Sequence, residues 1–161
     1  MEYPPRFYPD LGFLLSLHFD GDRTAAASSL ARKLDTPLSI HLVHQLQFEN
    51  GCTLWLKNRD LAKSARSARG LRLWREHLVE GVFQVIDPDF DTGFRLALEW
   101  NRQENVQSLP WSALVHLAVA VTSGAEAFLS FDPQRRSKAR QIGISLLPSQ
   151  LGPQSNPDAD L

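Results

Sequence analysis

The sequence predicts an α/β fold: a mostly parallel central sheet of about five strands with helices on both faces. Three observations carry this expectation. Short apolar segments alternate with longer helical ones along the chain. Helical segments open with proline, at Pro110 and Pro133, and glycine follows at Gly124, the asymmetry expected of helix starts and ends. Two of the strand-like segments run into an aspartate, Asp10 and Asp132.

Taken in order, Phe7 and Tyr8 form a first strand ending at Asp10, with Pro9 awkwardly placed because proline cannot donate to a ladder. FLLSLHFDGD reads as a helical turn followed by a polar loop. The alanine-rich stretch from Thr24 to Leu34 reads as a helix that Asp22 or Thr24 caps. Leu38 to Val43 is the second strand, and His44 to Lys57 is helical despite Gly51. Leu61 to Val79 is a basic helical stretch on both sides of Gly70.

Val82 to Ile86 is the third strand. Thr92 to Gln103 is a helix expected to turn Phe94, Leu98 and Trp100 inward. The helix from Pro110 to Ser123 is followed by a fourth strand, Ala127 to Phe131, ending at Asp132. A basic helix from Pro133 to Gln141 leads to a fifth strand, Ile144 to Leu147. One domain is expected over residues 1–148. Residues 149–161, rich in Pro, Ser, Gln and Asp, are expected to form a flexible tail.

The 161 residues suit a single core, and no internal repeat is found. A formal net charge of -1 removes any bulk attraction to nucleic acid or membrane. The single cysteine, Cys52, excludes an intrachain disulfide. With no signal-peptide pattern and no apolar run of about 20 residues, a cytoplasmic protein without a membrane span is expected.

In open α/β sheets, ligands gather beyond the carboxyl ends of the strands. Asp10 and Asp132 fall there, and together they mark a candidate metal or catalytic site. An aspartate at such a junction serves equally well as a helix cap.

Four segments taken together give the chain a family likeness. PDLGFLLSLHFD opens it, HQLQFENGCTL and PWSALVHLAVAV follow, and GAEAFLSFDPQRRSKARQIGISLLP closes it. In order and spacing, across roughly residues 5–148, they resemble the PIN-domain family, in particular the VapC-type toxin ribonucleases of toxin–antitoxin pairs. The resemblance implies a PIN-like three-layer sandwich and a Mg²⁺- or Mn²⁺-dependent endoribonuclease. It also implies a homodimer and a small antitoxin partner. Acidic residues from those four segments would gather the metal, which activates a water and steadies phosphate charge.

On that pattern Asp10 and Asp132 match the first and last acids. The second position falls on Gln47, three before Asn50, and the third on Ala113, three before His116. Gln47 is therefore a degenerate catalytic position and Ala113 offers no ligand. Glu49 should face away from the site, since two residues turn a helix by about 200°. Glu104, in the polar loop NRQEN, is the remaining carboxylate able to substitute. His116, on an apolar helix, reads as a packing residue. Mg²⁺ or Mn²⁺ held by Asp10 and Asp132 alone would bind weakly or not at all.

Two basic clusters complete the pattern. Lys57, Arg59, Lys63, Arg66, Arg69, Arg72 and Arg75 are opposed only by Asp60 and Glu76. They form either an RNA-binding patch or a solvated helix face, and only a break at Gly70 would regroup them. Arg135, Arg136 and Lys138, beside Asp132, are the better placed nucleic-acid candidates. Trp55, Trp74, Trp100 and Trp111 read as core or dimer residues rather than base-stacking ones.

Three functions remain open from the sequence. The first is a PIN-like protein with weakened or lost nuclease activity that binds RNA or a protein. The second is an active toxin with a rearranged metal site, and the third is a structural module.

Overall fold

The computed structural model describes residues 6–56, 61–103 and 109–152. Its strands are β1 (Phe7–Pro9), β2 (Leu38–Ile40), β3 (Phe83–Val85), β4 (Ala127–Leu129) and β5 (Ser145–Leu147). Its helices are α1 (Leu11–His18), α2 (Thr24–Leu34), α3 (Leu42–Leu56), α4 (Leu61–Glu80), α5 (Phe90–Arg102), α6 (Trp111–Thr122) and α7 (Pro133–Gln141). The strands form one parallel sheet in the order β3-β2-β1-β4-β5. The strand order reverses at β1, so the chain leaves β1 and β4 at the sheet's switch point.

Side-chain alternation along the strands divides the core in two. Leu38, Ile40, Ala127 and Leu129 face one layer with Phe13, Leu14, Leu17, Phe48 and Trp74. Tyr8 and Phe128 face the other with Ala113, Leu117 and Ala120 of α6 and Ala97 and Trp100 of α5. Each fully buried Phe or Leu here contributes roughly 1.5–3 kcal/mol.

Several elements differ from the sequence expectation. LGFLLSLH is a complete two-turn helix, because Asp10 caps it and Phe13, Leu14 and Leu17 all find the core. The second strand stops at Ile40, and the following residues turn into α3. Phe94 and Leu98 point outward, with 44% and 41% of their surface exposed, while Gly93, Ala97 and Trp100 form the inner face of α5. A Cβ on Gly93 would come within 2.8 Å of Val119, so the glycine lets α5 press closely on α6.

Gly70 does not break α4. The helix is continuous, and a Cβ at Gly70 would sit 2.4 Å from the Phe19 ring. Of the tryptophans, Trp74 and Trp100 are core residues and Trp111 is half exposed. Lys57, Arg59, Glu104, the Trp55 side chain and residues 153–161 lie outside the described residues. Among the described residues no helix is long and apolar enough to cross a membrane.

Pro9 is accommodated by strand geometry. The Asp10 N–H donates to the Leu129 carbonyl on the β4 side. By alternation, the donor that Pro9 lacks would have pointed to β2. There β1 and β2 pair only at Phe7 and Leu38 before β2 turns away into α3. The Pro9 carbonyl on that side accepts instead from His44 Nε2 at 3.0 Å.

Candidate functional site

The carboxyl ends of β1, β2 and β4 bring together Asp10, His41, Ser130 and Asp132. Asp10 follows β1 directly and is almost fully buried. Its Oδ1 accepts from the Phe13 N–H at 2.6 Å and caps α1. Its Oδ2 accepts from the Ser130 hydroxyl at 2.5 Å and from the Arg135 guanidinium at 3.0 Å. Asp132 is exposed and caps α7, its Oδ1 accepting from the Arg135 N–H at 2.8 Å. Its own N–H donates to Ser130 Oγ at 3.1 Å.

The two aspartates expected at the site are thus neighbours, linked through Ser130 and through Arg135. Both also serve as helix caps, so the capping and site roles are not alternatives here. The cation against Asp10 is a side chain of the protein itself. Arg135 is only 25% exposed and holds a permanent charge on the carboxylate.

The second and third expected acid positions meet at a histidine. Gln47 Oε1 accepts from His116 Nε2 at 2.7 Å. Ala113 is buried in the core one turn earlier on α6. His116 does more than pack. Its Nδ1 lies 2.9 Å from the Tyr8 hydroxyl, which lies 2.6 Å from His41 Nε2. His44 sits beside them, its Nδ1 accepting from the His41 N–H at 3.2 Å. Tyr8, His41, His44 and His116 are all buried.

Burial favours the neutral imidazole. It lowers His41 to about 4 and, with His41 and Arg135 nearby, His116 to about 3. His44 is held well below its usual value by burial and then by His116 and His41. Burial, followed by the Asp10 charge, pushes the Tyr8 hydroxyl well above its usual range.

This arrangement does not fit a magnesium- or manganese-dependent centre. Hard cations require oxygen ligands. Both oxygens of Asp10 already accept hydrogen bonds, from Phe13, Ser130 and Arg135, which take three of about four lone-pair sites. Gln47 is committed to His116, and Ala113 has no donor. Of the four positions, Asp132 alone keeps a carboxylate oxygen for an incoming ion. Glu104 lies outside the described residues.

The nucleic-acid candidates separate. Arg136 is buried and donates to the Ser130 carbonyl at 2.8 Å and to the Pro148 and Ser149 carbonyls at 2.7 and 3.2 Å. Lys138 is buried with its ammonium 5.4 Å from the centre of the Trp100 ring. Both cations support the fold from inside, because α7 lies against the end of β4 and the segment after β5. Arg135 faces Asp10 rather than solvent phosphate. On α4, Lys63, Arg66, Arg69, Arg72 and Arg75 stand at the surface. Arg66 donates to the Asp20 carbonyl, and Arg69 lies 4.0 Å from the Asp20 carboxylate.

Sequence reasoning missed Tyr8, His41 and His44 as site residues. The signal present was the pair His41 and His44, three apart at a strand end, but their meeting with His116 requires the fold.

No family model matches the sequence, and no curated relative does. Among solved structures the chain is similar to VapC20 of Mycobacterium tuberculosis, a sarcin–ricin loop cleaving toxin. The TM-score is 0.57 and the identity 16%, over 82% of this chain and 94% of that one. It is also similar to VapBC2 from Rickettsia felis, bound to a DNA fragment from their promoter. Here the TM-score is 0.56 and the identity 13%, over 88% of this chain and 96% of that one. At this identity the likeness concerns the fold, and it bears out the PIN-like architecture expected from the sequence.

Proposed function

We propose that this chain is a PIN-fold protein of the toxin-ribonuclease type in which metal-dependent cleavage is weakened or lost and RNA binding is retained. The observation that carries the proposal is the Arg135 guanidinium 3.0 Å from Asp10. A divalent cation at this carboxylate would have to displace a permanent positive charge that is already hydrogen-bonded. It would then find no second carboxylate at Gln47 or Ala113.

Support for RNA binding comes from α4, where Lys63, Arg66, Arg69, Arg72 and Arg75 carry surface cations. Phosphates exchange counterions for such cations, giving affinity that falls with salt. The proposal extends, on likeness to the VapBC2 assembly, to a protein partner of antitoxin type and to a homodimer. A cytoplasmic location is part of the same proposal.

The test compares the parent with the Asp10→Asn/Asp132→Asn double variant, on single-stranded RNA with Mg²⁺ or Mn²⁺. Equal, background-level cleavage in both is expected, together with RNA binding that weakens steeply with salt. Strong metal-dependent cleavage that disappears in the double variant would overturn the loss of activity. Absence of RNA binding at low salt would overturn the retained function.

A further inference from the structure

Among the described residues, His41, His44 and His116 each offer a ring nitrogen, and these atoms all lie within 4.8 Å of one another. The three come from separate parts of the chain: the end of β2, the first turn of α3 and the middle of α6. Their ring centres are 4.1 Å apart for His41 and His44, 4.4 Å for His44 and His116, and 5.5 Å for His41 and His116. Chance crowding of buried histidines at three such points is costly, since each carries two polar nitrogens that the interior must satisfy.

The hydrogen bonds do not satisfy them all. With Gln47 Oε1 accepting, His116 carries its proton on Nε2, and its Nδ1 accepts from the Tyr8 hydroxyl. The Tyr8 oxygen then accepts from His41 Nε2. His44 is satisfied, its Nδ1 accepting from the His41 N–H and its Nε2 donating to the Pro9 carbonyl, so a bound ion would take the place of the first of these bonds. His41 Nδ1 is left buried with no partner. His41 itself is only 1% exposed. An unpartnered ring nitrogen this deep calls for a complement, which a water or an ion supplies.

From this geometry we propose that His41, His44 and His116 form a binding site for a borderline transition-metal ion of the zinc class, which clamps β2 and α3 to α6. Three imidazoles suit Zn²⁺, Ni²⁺ or Cu²⁺, whereas Mg²⁺ and Mn²⁺ prefer oxygen. Zinc bonds imidazole at about 2.0–2.1 Å in a tetrahedron, which places ligand nitrogens about 3.4 Å apart. From a widest separation of up to 4.8 Å, the cluster closes by up to about 1.4 Å on binding the ion. Gln47 Oε1, accepting from His116 Nε2, supports that ring from outside the ligand set, and the Tyr8 oxygen bridges His41 and His116. All three imidazoles are neutral at pH 7, the state that ligation requires. The site does not depend on RNA binding. It exchanges the hard-ion chemistry expected at this end of the sheet for a softer ligand set.

The chain has only two other histidines, His18 and His77, which pair elsewhere and supply an internal control. The experiment adds Zn²⁺, and separately Co²⁺, to the metal-free full chain at pH 7.5. Melting temperature, calorimetric stoichiometry and the visible absorption of cobalt are measured. One ion per chain is expected, with an intense tetrahedral cobalt band. At free zinc 100-fold above Kd, the melting temperature should rise by roughly 5–10 °C.

The effect should persist in His77→Gln and vanish in His116→Asn and in His44→Gln. A wild-type chain that shows neither a melting shift nor a tetrahedral band would overturn the site. So would binding lost in His77→Gln but kept in His116→Asn. Because the cobalt spectrum is read on the unaltered chain, the proposal stays testable even where a histidine variant fails to fold.

Discussion

The Arg135 guanidinium lies 3.0 Å from Oδ2 of the buried Asp10 carboxylate, and the Arg135 N–H is itself capped by Asp132. One residue therefore ties together both acids that the sequence marks. It does so because α7 starts immediately beyond the strand that runs beside β1, so its first turn reaches across the switch point.

Removing that cation exposes the consequence. Arg135→Ala should cost about 2 kcal/mol, since it leaves a buried carboxylate with one partner fewer. Urea denaturation measures the loss. The same variant should bind Mn²⁺ more tightly than the parent, because Asp10 then lacks its positive neighbour. Unchanged Mn²⁺ affinity would mean that Arg135 is not what keeps divalent ions away.

Gly70→Ala should destabilise the fold by about 1–3 kcal/mol, despite alanine's better helix propensity. The added methyl would meet the Phe19 ring at 2.4 Å, so α4 must move away from α1. Thermal melts of the parent and variant decide this, and a stabilised variant would contradict the packing described.

His18 gives a pH dependence with a definite sign. Its Nδ1 donates to the Leu14 carbonyl at 2.6 Å, and its Nε2 lies 3.0 Å from His77 Nδ1. Phe48, Trp74 and Phe83 pack around it, and Glu76 and Glu80 act on His77 from α4. Burial lowers His18 from 6.5 to about 4. The unfolded chain therefore takes up a proton at higher pH than the folded one. Stability is complete above about 6.5 and falls as the pH drops toward 4, by on the order of 3 kcal/mol from this residue. Unfolding free energies measured at pH 7 and pH 5 should differ less in His18→Gln than in the parent.

Arg136 and α4 should separate stability from binding. Arg136→Ala should cost about 3 kcal/mol or more, because three carbonyls lose their donor, and Arg136→Lys should restore little, lacking the planar fork. Arg69→Glu and Arg72→Glu on the exposed face should leave stability within about 0.5 kcal/mol. They should instead lower RNA affinity and flatten its salt dependence by about 0.7 for each phosphate no longer neutralised. Fluorescence anisotropy over a salt series reads the slope. An unaltered slope would place the RNA surface elsewhere.

Much was legible in the sequence alone. Strand and helix alternation, the aspartate at each of two strand ends, and the proline and glycine punctuation determined a parallel α/β sheet and placed Asp10 and Asp132 together. These are local or periodic signals, written in neighbouring residues. That Gln47 and Ala113 stand where acids are expected was implied by the resemblance of their segments and not by spacing alone.

What only tertiary structure decided is which partner each polar side chain meets. Arg136 and Lys138 look in sequence like any basic helix, yet both are buried, because α7 turns that face toward the end of β4 and Trp100. Phe94 and Leu98 look like core and stand in solvent, because Gly93 and Ala97 allow α5 to approach α6 on the other side. His41 and His44 are three residues apart, but His116 lies up to 75 residues from them, and no local pattern couples it to the pair. Their cluster exists because β2 ends at Ile40 and the turn into α3 swings two imidazoles against the middle of α6. That is a long-range packing outcome, which the spacing of residues along a chain does not encode.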